Sequence, residues 1–316
     1  MAQTQQPDWK LVSEHAQWAA RDSCGEVVHD GRMWLLGGWF NSNIVGPRDV
    51  WASADGVRWE EVTHEAGWTH GDLPTTLTYG GRMWFMGGWY AGRLPEGGPT
   101  SAVWASRDGA RWDCVAEQAG WRPRLGAAAA VHRDRMWLSG GNEKYFFGDE
   151  STLRHDVWSS TDGAHWTEAT AHAPWAPRAY HAMLEFQGKL WVFGGGNYLP
   201  GYQGYNDVWS SEDGAQWTCV AEHAPWHERI WFSAAVYRGC MWVLGGWSKE
   251  PNRNYNDVWY TADGVTWREL KTPTIWSARH EHSAYVFQDK LWVVAGNAWP
   301  LVNDVWVLDL PADWRP

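Results

Sequence analysis

Residues 175–217 read WAPRAYHAMLEFQGKLWVFGGGNYLPGYQGYNDVWSSEDGAQW, and the landmarks of this stretch return along the whole chain. Trp175, where it opens, has counterparts at Trp18, Trp68, Trp121, Trp226 and Trp276. Its Leu-Trp-x-x-Gly-Gly run ends at Gly194-Gly195 and recurs, with Met or Leu before the Trp, at Gly37-Gly38, Gly87-Gly88, Gly140-Gly141 and Gly245-Gly246, becoming Ala295-Gly296 in the last copy. Asp207-Val208-Trp209 is matched by the triplets ending at Trp51, Trp158, Trp259 and Trp306, with Ala102-Val103-Trp104 as the variant copy. The closing Asp-Gly-x-x-Trp, ending at Trp217, also ends at Trp59, Trp112, Trp166 and Trp267. There are six copies, and repetition on this scale means that each copy is one unit that buries its apolar face against its neighbours.

Within each copy four short apolar segments are separated by turn residues, the pattern of a four-stranded antiparallel sheet. Tight pairs such as Asp30-Gly31, Gln187-Gly188 and Arg238-Gly239 join the first and second segments. The Asp-Gly between third and fourth reads as a type I′ hairpin, with φ > 0 at both central residues. Both kinds of turn fall on one face. The links between second and third segments are longer and irregular (39–48, 89–101, 142–155, 197–206, 247–256 and 297–303), and with the links between copies they emerge on the opposite face. Long loops on a rigid scaffold are where binding and catalysis concentrate, which places the working surface there. Six such sheets around an axis predict an all-β, six-bladed β-propeller forming a single domain over 1–316. Asp8 to Val12 matches a fourth segment, whereas the last copy ends at its third, so residues 1–12 are expected to complete blade 6 and close the ring.

The Gly-Gly followed by a downstream Trp resembles the kelch repeat of galactose-oxidase-like propellers, and the resemblance spans essentially the whole chain. That family includes sialic-acid mutarotases, iron-dependent specifier proteins, copper radical oxidases and protein-binding modules, so the resemblance implies the fold and leaves the site to be argued from residues. The specifier proteins' iron motif of Glu, Asp and His at four-residue spacing is absent, and the cysteines give no assignable Tyr–Cys crosslink.

Thirty tryptophans and 34 glycines in 316 residues, with only 20% charged residues, point away from helical bundles, coiled coils and disorder. A formal charge of −11 without any Lys/Arg run argues against nucleic acid. No segment approaches the roughly 18 apolar residues of a membrane helix, and the polar start MAQTQQPDWK lacks the build of a secretory signal, so a cytoplasmic protein is expected. Cys24, Cys114, Cys219 and Cys240 form no CxxC pair and read as reduced thiols. No nucleotide-cofactor motif or nucleophilic-serine motif sits in its required setting.

Residues repeated in every blade belong to the scaffold, so those departing from the repeat are the candidates for function. Twenty-four tryptophans, counting Trp9, occupy the four repeated positions and are assigned to packing; Trp39, Trp89, Trp231, Trp247, Trp299 and Trp314 remain. Of these Trp231, Trp39, Trp89 and Trp247 are expected to wall a pocket. Inner strands open with Trp-x-x-Arg at Arg21, Arg124, Arg178, Arg229 and Arg279, with Gly71 in the second blade. Most of these should tie down loops, one or two of Arg178, Arg229 and Arg279 holding an anionic group of a ligand. Asp22, Asp72, Asn197 and Asn297 complete the expected binding set.

The sixth blade opens with Arg279-His280-Glu281-His282, the densest titratable cluster in the chain. Strand alternation puts His280 and His282 on one side and Glu281 on the other. Glu281 is the candidate general base, with His280, His282, His181 or Tyr180 as acid. No cofactor is expected; a divalent metal, if present, would use His181, His282 and Cys24. The leading expectation is a small-molecule enzyme performing acid–base isomerisation, cyclisation or elimination on a polar or anionic metabolite at the channel mouth. The alternatives are a non-catalytic binding propeller, lectin-like or bound to a protein partner through loops that include Tyr145, Phe146 and Phe147, and a mononuclear metal-dependent lyase or oxidase.

Overall fold

The computed structural model describes residues 6–145, 149–198 and 201–316. Among the described residues there are six four-stranded antiparallel sheets, five running in sequence order from the axis outward and the sixth with the N-terminal strand outermost. The innermost strands are Gly25–His29, Thr75–Tyr79, Ala128–His132, Ala182–Phe186, Ser233–Tyr237 and Ser283–Phe287. Ring closure is as expected: Trp9–Ser13 pairs with Val305–Leu308, Trp9 opposite Leu308 and Leu11 opposite Trp306, so the chain's two ends share blade 6. Among the described residues no helix is long and apolar enough to cross a membrane. Phe146 and Phe147 lie outside the described residues.

The turn chemistry distributes differently from the sequence reading. Left-handed pairs occur between the first and second strands, as at Asp30-Gly31 (φ 45° and 67°) and Gln187-Gly188 (52° and 75°). In the Asp-Gly turns only the glycine is left-handed. Their aspartate instead folds a longer connection around itself: Asp162 Oδ1 accepts from the amides of Ala164 (2.9 Å) and His165 (2.8 Å), while Ser160 Oγ accepts from Gly163 (2.8 Å). Such Asx and Ser caps satisfy the turn amides without a two-residue I′ geometry.

Those glycines are fixed by the neighbouring blade. A Cβ on Gly163 (φ 76°) would overlap the Trp84 ring of the preceding blade, and Gly56, Gly109, Gly214 and Gly264 meet Trp292, Trp34, Trp137 and Trp191 in the same way. Trp242 is the sixth member of this set, and blade 6 offers it no Asp-Gly turn; Trp314 of the C-terminal segment packs on it at 5.7 Å. One tryptophan outside the repeat is thereby absorbed into the scaffold.

The arginines are scaffold as well. Arg21, Arg124, Arg178, Arg229 and Arg279 each bind the aspartate of the Asp-Val-Trp triplet in their own blade through both terminal nitrogens: Asp49, Asp156, Asp207, Asp257 and Asp304. Each also donates to the carbonyl of the Gly-Gly segment, as Arg178 does to Gly194 O at 3.0 Å. Blade 2, which has Gly71 in place of the arginine, has Ala102 in place of the aspartate, so both charges are missing together. A bidentate pair satisfies its own desolvated charges, and half of one would leave a buried ion. Arg178, Arg229 and Arg279 are 0% exposed. They are thus not placed to receive a ligand's anionic group.

Candidate functional site

The residue two places after each repeated arginine decides the shape of the channel. Ser23, Leu73, Gly126, Tyr180, Trp231 and Glu281 take this position, and all six are left-handed, with φ between 50° and 60°. The bend points their amides around the axis rather than along a strand. Leu73 N donates to Ser23 O (3.1 Å), Gly126 N to Leu73 O (3.1 Å), Tyr180 N to Gly126 O (2.8 Å), Glu281 N to Trp231 O (2.8 Å) and Ser23 N to Glu281 O (3.1 Å). This backbone collar separates two cavities. The lower one, about 220 Å³, runs down the channel among the inner strands. The upper one, about 200 Å³, opens on the long-loop face. Ser23, Trp231 and Glu281 line both.

The upper cavity gathers Asp22, Asp72 and Glu281 from blades 1, 2 and 6, with His280 and Asn297 beside them. Trp39, Trp231, Trp247, Tyr145, Tyr198 and Trp299 wall it, and Ser42 and Arg93 also line it. Trp231 stacks on His280 at 5.2 Å and 24°. Alternation fails at the cluster because the first strand begins only at Ser283 and Glu281 is left-handed. Consequently His280 and Glu281 face the same cavity, their Nε2 and Oε2 3.5 Å apart, and His282 turns away.

Burial dominates the electrostatics of this cup. It pushes Asp22 up to about 7, partly opposed by hydrogen bonds from Asn297 and Ser23. Burial, then the charges of Asp22 and Asp72, raise Glu281 well above the ordinary carboxyl range; burial and Asp22 do the same to Asp72. Carboxyls in such a place keep their protons unless a positive charge arrives. His280 is the converse case, pushed down to about 3 by burial and therefore neutral at pH 7. Asn254 sets its tautomer: the amide nitrogen donates to Asn297 O (2.8 Å), which leaves Oδ1 to accept from His280 Nδ1 (2.7 Å). The lone pair on Nε2 consequently faces the cup.

The remaining expected residues are placed elsewhere. Trp89 is buried beside the cup, its Nε1 donating to Gly92 O (2.7 Å) and its ring edge-on to Tyr145. Asn197 is buried in its own loop, donating to Gly201 O (3.0 Å). Tyr180 lines the lower cavity between Tyr145 and Trp231. His181 Nε2 pairs with Ser139 Oγ at 2.8 Å, and burial pushes it down to about 3. His282 packs on Trp276 at 5.2 Å, and burial followed by Arg279 drives it well below the ordinary imidazole range. Cys24 Sγ points to Asp22 O, with its thiol pushed well up by burial. His181, His282 and Cys24, from blades 4, 6 and 1, all line the lower cavity, but their ligand atoms do not form a group within 4.8 Å of one another among the described residues. The group of ligand-type atoms that does converge among the described residues is Asp22, His280 and Glu281, all within 4.8 Å of one another.

Sequence reading missed Tyr198, Ser23 and Asn254 in and around the cup. The collar position itself carried the missing signal: within a strict repeat it holds six different residues. Nothing in the sequence singles out Asn254, whose role exists only through its contact with His280. Chemically the cup can hold a positive charge or pass a proton between Glu281 and Asp22. A family model, the KLHDC2/KLHL20/DRC7 kelch-repeats domain, matches residues 126–314. No curated protein matches the chain.

Proposed function

The chain belongs to the kelch-repeat family, and from that premise we infer that it is a binding propeller whose long-loop face holds a positively charged group in the channel mouth. Kelch domains commonly mediate protein interactions, which favours binding over turnover. The observation that carries the reading is the convergence of Asp22, Asp72 and Glu281 in one aromatic-walled cavity. Carboxyls stripped of water gain most from a cation, and indole and phenol faces add to that attraction. The repeated arginines expected to hold an anionic ligand are buried against their own aspartates, and three carboxyls line the cup against the basic side chain of Arg93.

The test is a thermal-shift panel of inorganic and organic cations against matched anions, on wild type and on Asp22→Asn/Asp72→Asn. Stabilisation by at least one cation, lost in the double variant, is expected; anions alone stabilising, or an unchanged response in the variant, would sink the reading.

A second reading keeps acid–base chemistry at the same cluster. It is favoured by the neutral His280 lone pair lying 3.5 Å from Glu281 Oε2, with Asp22 as a second carboxyl nearby. There Glu281, held protonated, would serve as the acid and not as the base expected from sequence.

A further inference from the structure

We propose that Asp22, His280 and Glu281 form a binding site for one divalent first-row metal ion at the channel mouth, a proposal that rests on the reading of the mouth as a site for positive charge. Four observations carry it. First, the ligand atoms of the three side chains lie within 4.8 Å of one another. His280 Nε2 and Glu281 Oε2 are 3.5 Å apart; two donors each about 2.1 Å from a tetrahedral ion stand roughly 3.4 Å apart. An ammonium nitrogen hydrogen-bonding at about 2.8 Å spaces its acceptors at roughly 4.5 Å, a poorer match to that pair.

Second, the imidazole is presented as metal ligands usually are. Asn254 holds the Nδ1 proton, which commits Nε2 as a lone-pair donor and fixes the ring plane. Asn254 is itself anchored on Asn297 O. Third, Glu281 Oε1 is buried without a hydrogen-bond partner among the described residues, on a side chain only 7% exposed that lines the cavity and interacts with Asp22 and Ser23. Two buried carboxyls facing each other, Glu281 and Asp22, are satisfied by a proton or by a cation, and a metal ion can take the proton's place. Fourth, Asp22 is prepared from behind: Ser23 Oγ donates to its Oδ1 (3.1 Å) and Asn297 Nδ2 to its Oδ2 (3.1 Å). These bonds orient the carboxylate and leave lone pairs for an ion.

One imidazole and two carboxylates suit manganese, iron, cobalt or zinc better than calcium, which takes oxygen ligands, or copper(I), which prefers sulfur. Three protein ligands leave coordination positions open toward the cavity, where a water or a group from a docked partner can bind. The left-handed Glu281 is what permits adjacent residues to serve together, because an extended backbone would send their side chains to opposite sides.

The experiment uses the full chain, dialysed against a chelator and then titrated with Mn²⁺ (paramagnetic resonance) and Zn²⁺ (calorimetry), with n-butylammonium and tetramethylammonium in parallel. Wild type should take up one metal ion per chain. Affinity should fall at least tenfold in His280→Gln and in Asp22→Asn, and also in Asn254→Ala, which lies outside the coordinating set; circular dichroism and melting confirm that each variant is folded. Should one variant fail to fold, the other two carry the comparison. Absence of saturable one-to-one metal binding, or metal binding indifferent to all three substitutions, would overturn the proposal. If only the organic ammonium ions bind, the metal assignment fails while the cation-holding mouth stands; if neither kind binds, both fail.

Discussion

At the residue scale the arginine–aspartate pairs show how a repeat conceals its own logic. Arg124 and Asp156 are 1% and 8% exposed and share two hydrogen bonds, at 2.6 and 2.8 Å. Burial pushes the Asp156 carboxyl up, but the hydrogen bond and charge of Arg124 outweigh it and hold Asp156 below its usual value. Replacing one partner leaves an uncompensated charge, so Arg124→Met should cost about 3–5 kcal/mol. Blade 2 already carries the paired absence, Gly71 with Ala102, and remains a regular four-stranded sheet. Adding Asp156→Ala to Arg124→Met should therefore recover at least half of the loss in urea unfolding. Losses that simply add would show that the pair does not act as a unit. The five arginines were legible as a motif, but their partners were not, because each lies some 25 to 32 residues away and only the folded blade brings the two together.

Two kinds of glycine turn behave differently at the scale of the element. Gly163 and Gly188 are both left-handed, with φ of 76° and 75°. An added Cβ at Gly188 meets open space, whereas at Gly163 it overlaps the Trp84 ring of the preceding blade. Gly188→Ala should cost about 1 kcal/mol, the ordinary strain of a side chain in that region. Gly163→Ala should cost about 2–4 kcal/mol, because overpacking is added to the same strain. Equal melting temperatures for the two variants would refute the inter-blade role of the Asp-Gly turn. The sequence showed both turns but not the distinction. Turn type is local, while the ring that presses on Gly163 comes from another repeat.

For the whole molecule, closure of the ring is the cooperative feature. Trp9–Ser13 is the outermost strand of a blade whose other three strands end the chain, and Trp9 is 1% exposed against Trp276. Deleting residues 1–12 removes that strand and its core tryptophan, and the melting temperature should fall by at least about 5 °C; an unchanged value would mean that the joint does not hold the ring. The number of blades, the four strands of each, the closing strand and the face bearing the long loops were all determined by the sequence itself. Each follows from a local pattern repeated six times, and a periodic pattern of turns and apolar segments admits few arrangements. The channel mouth was decided only by the tertiary structure. Asp22 and Glu281 stand near opposite ends of the chain, and the left-handed collar, invisible to strand alternation, turns His280 and Glu281 into one cavity and His282 out of it. Burial then sets the charge state of every carboxyl there, and burial is a property of six blades together rather than of any residue or repeat.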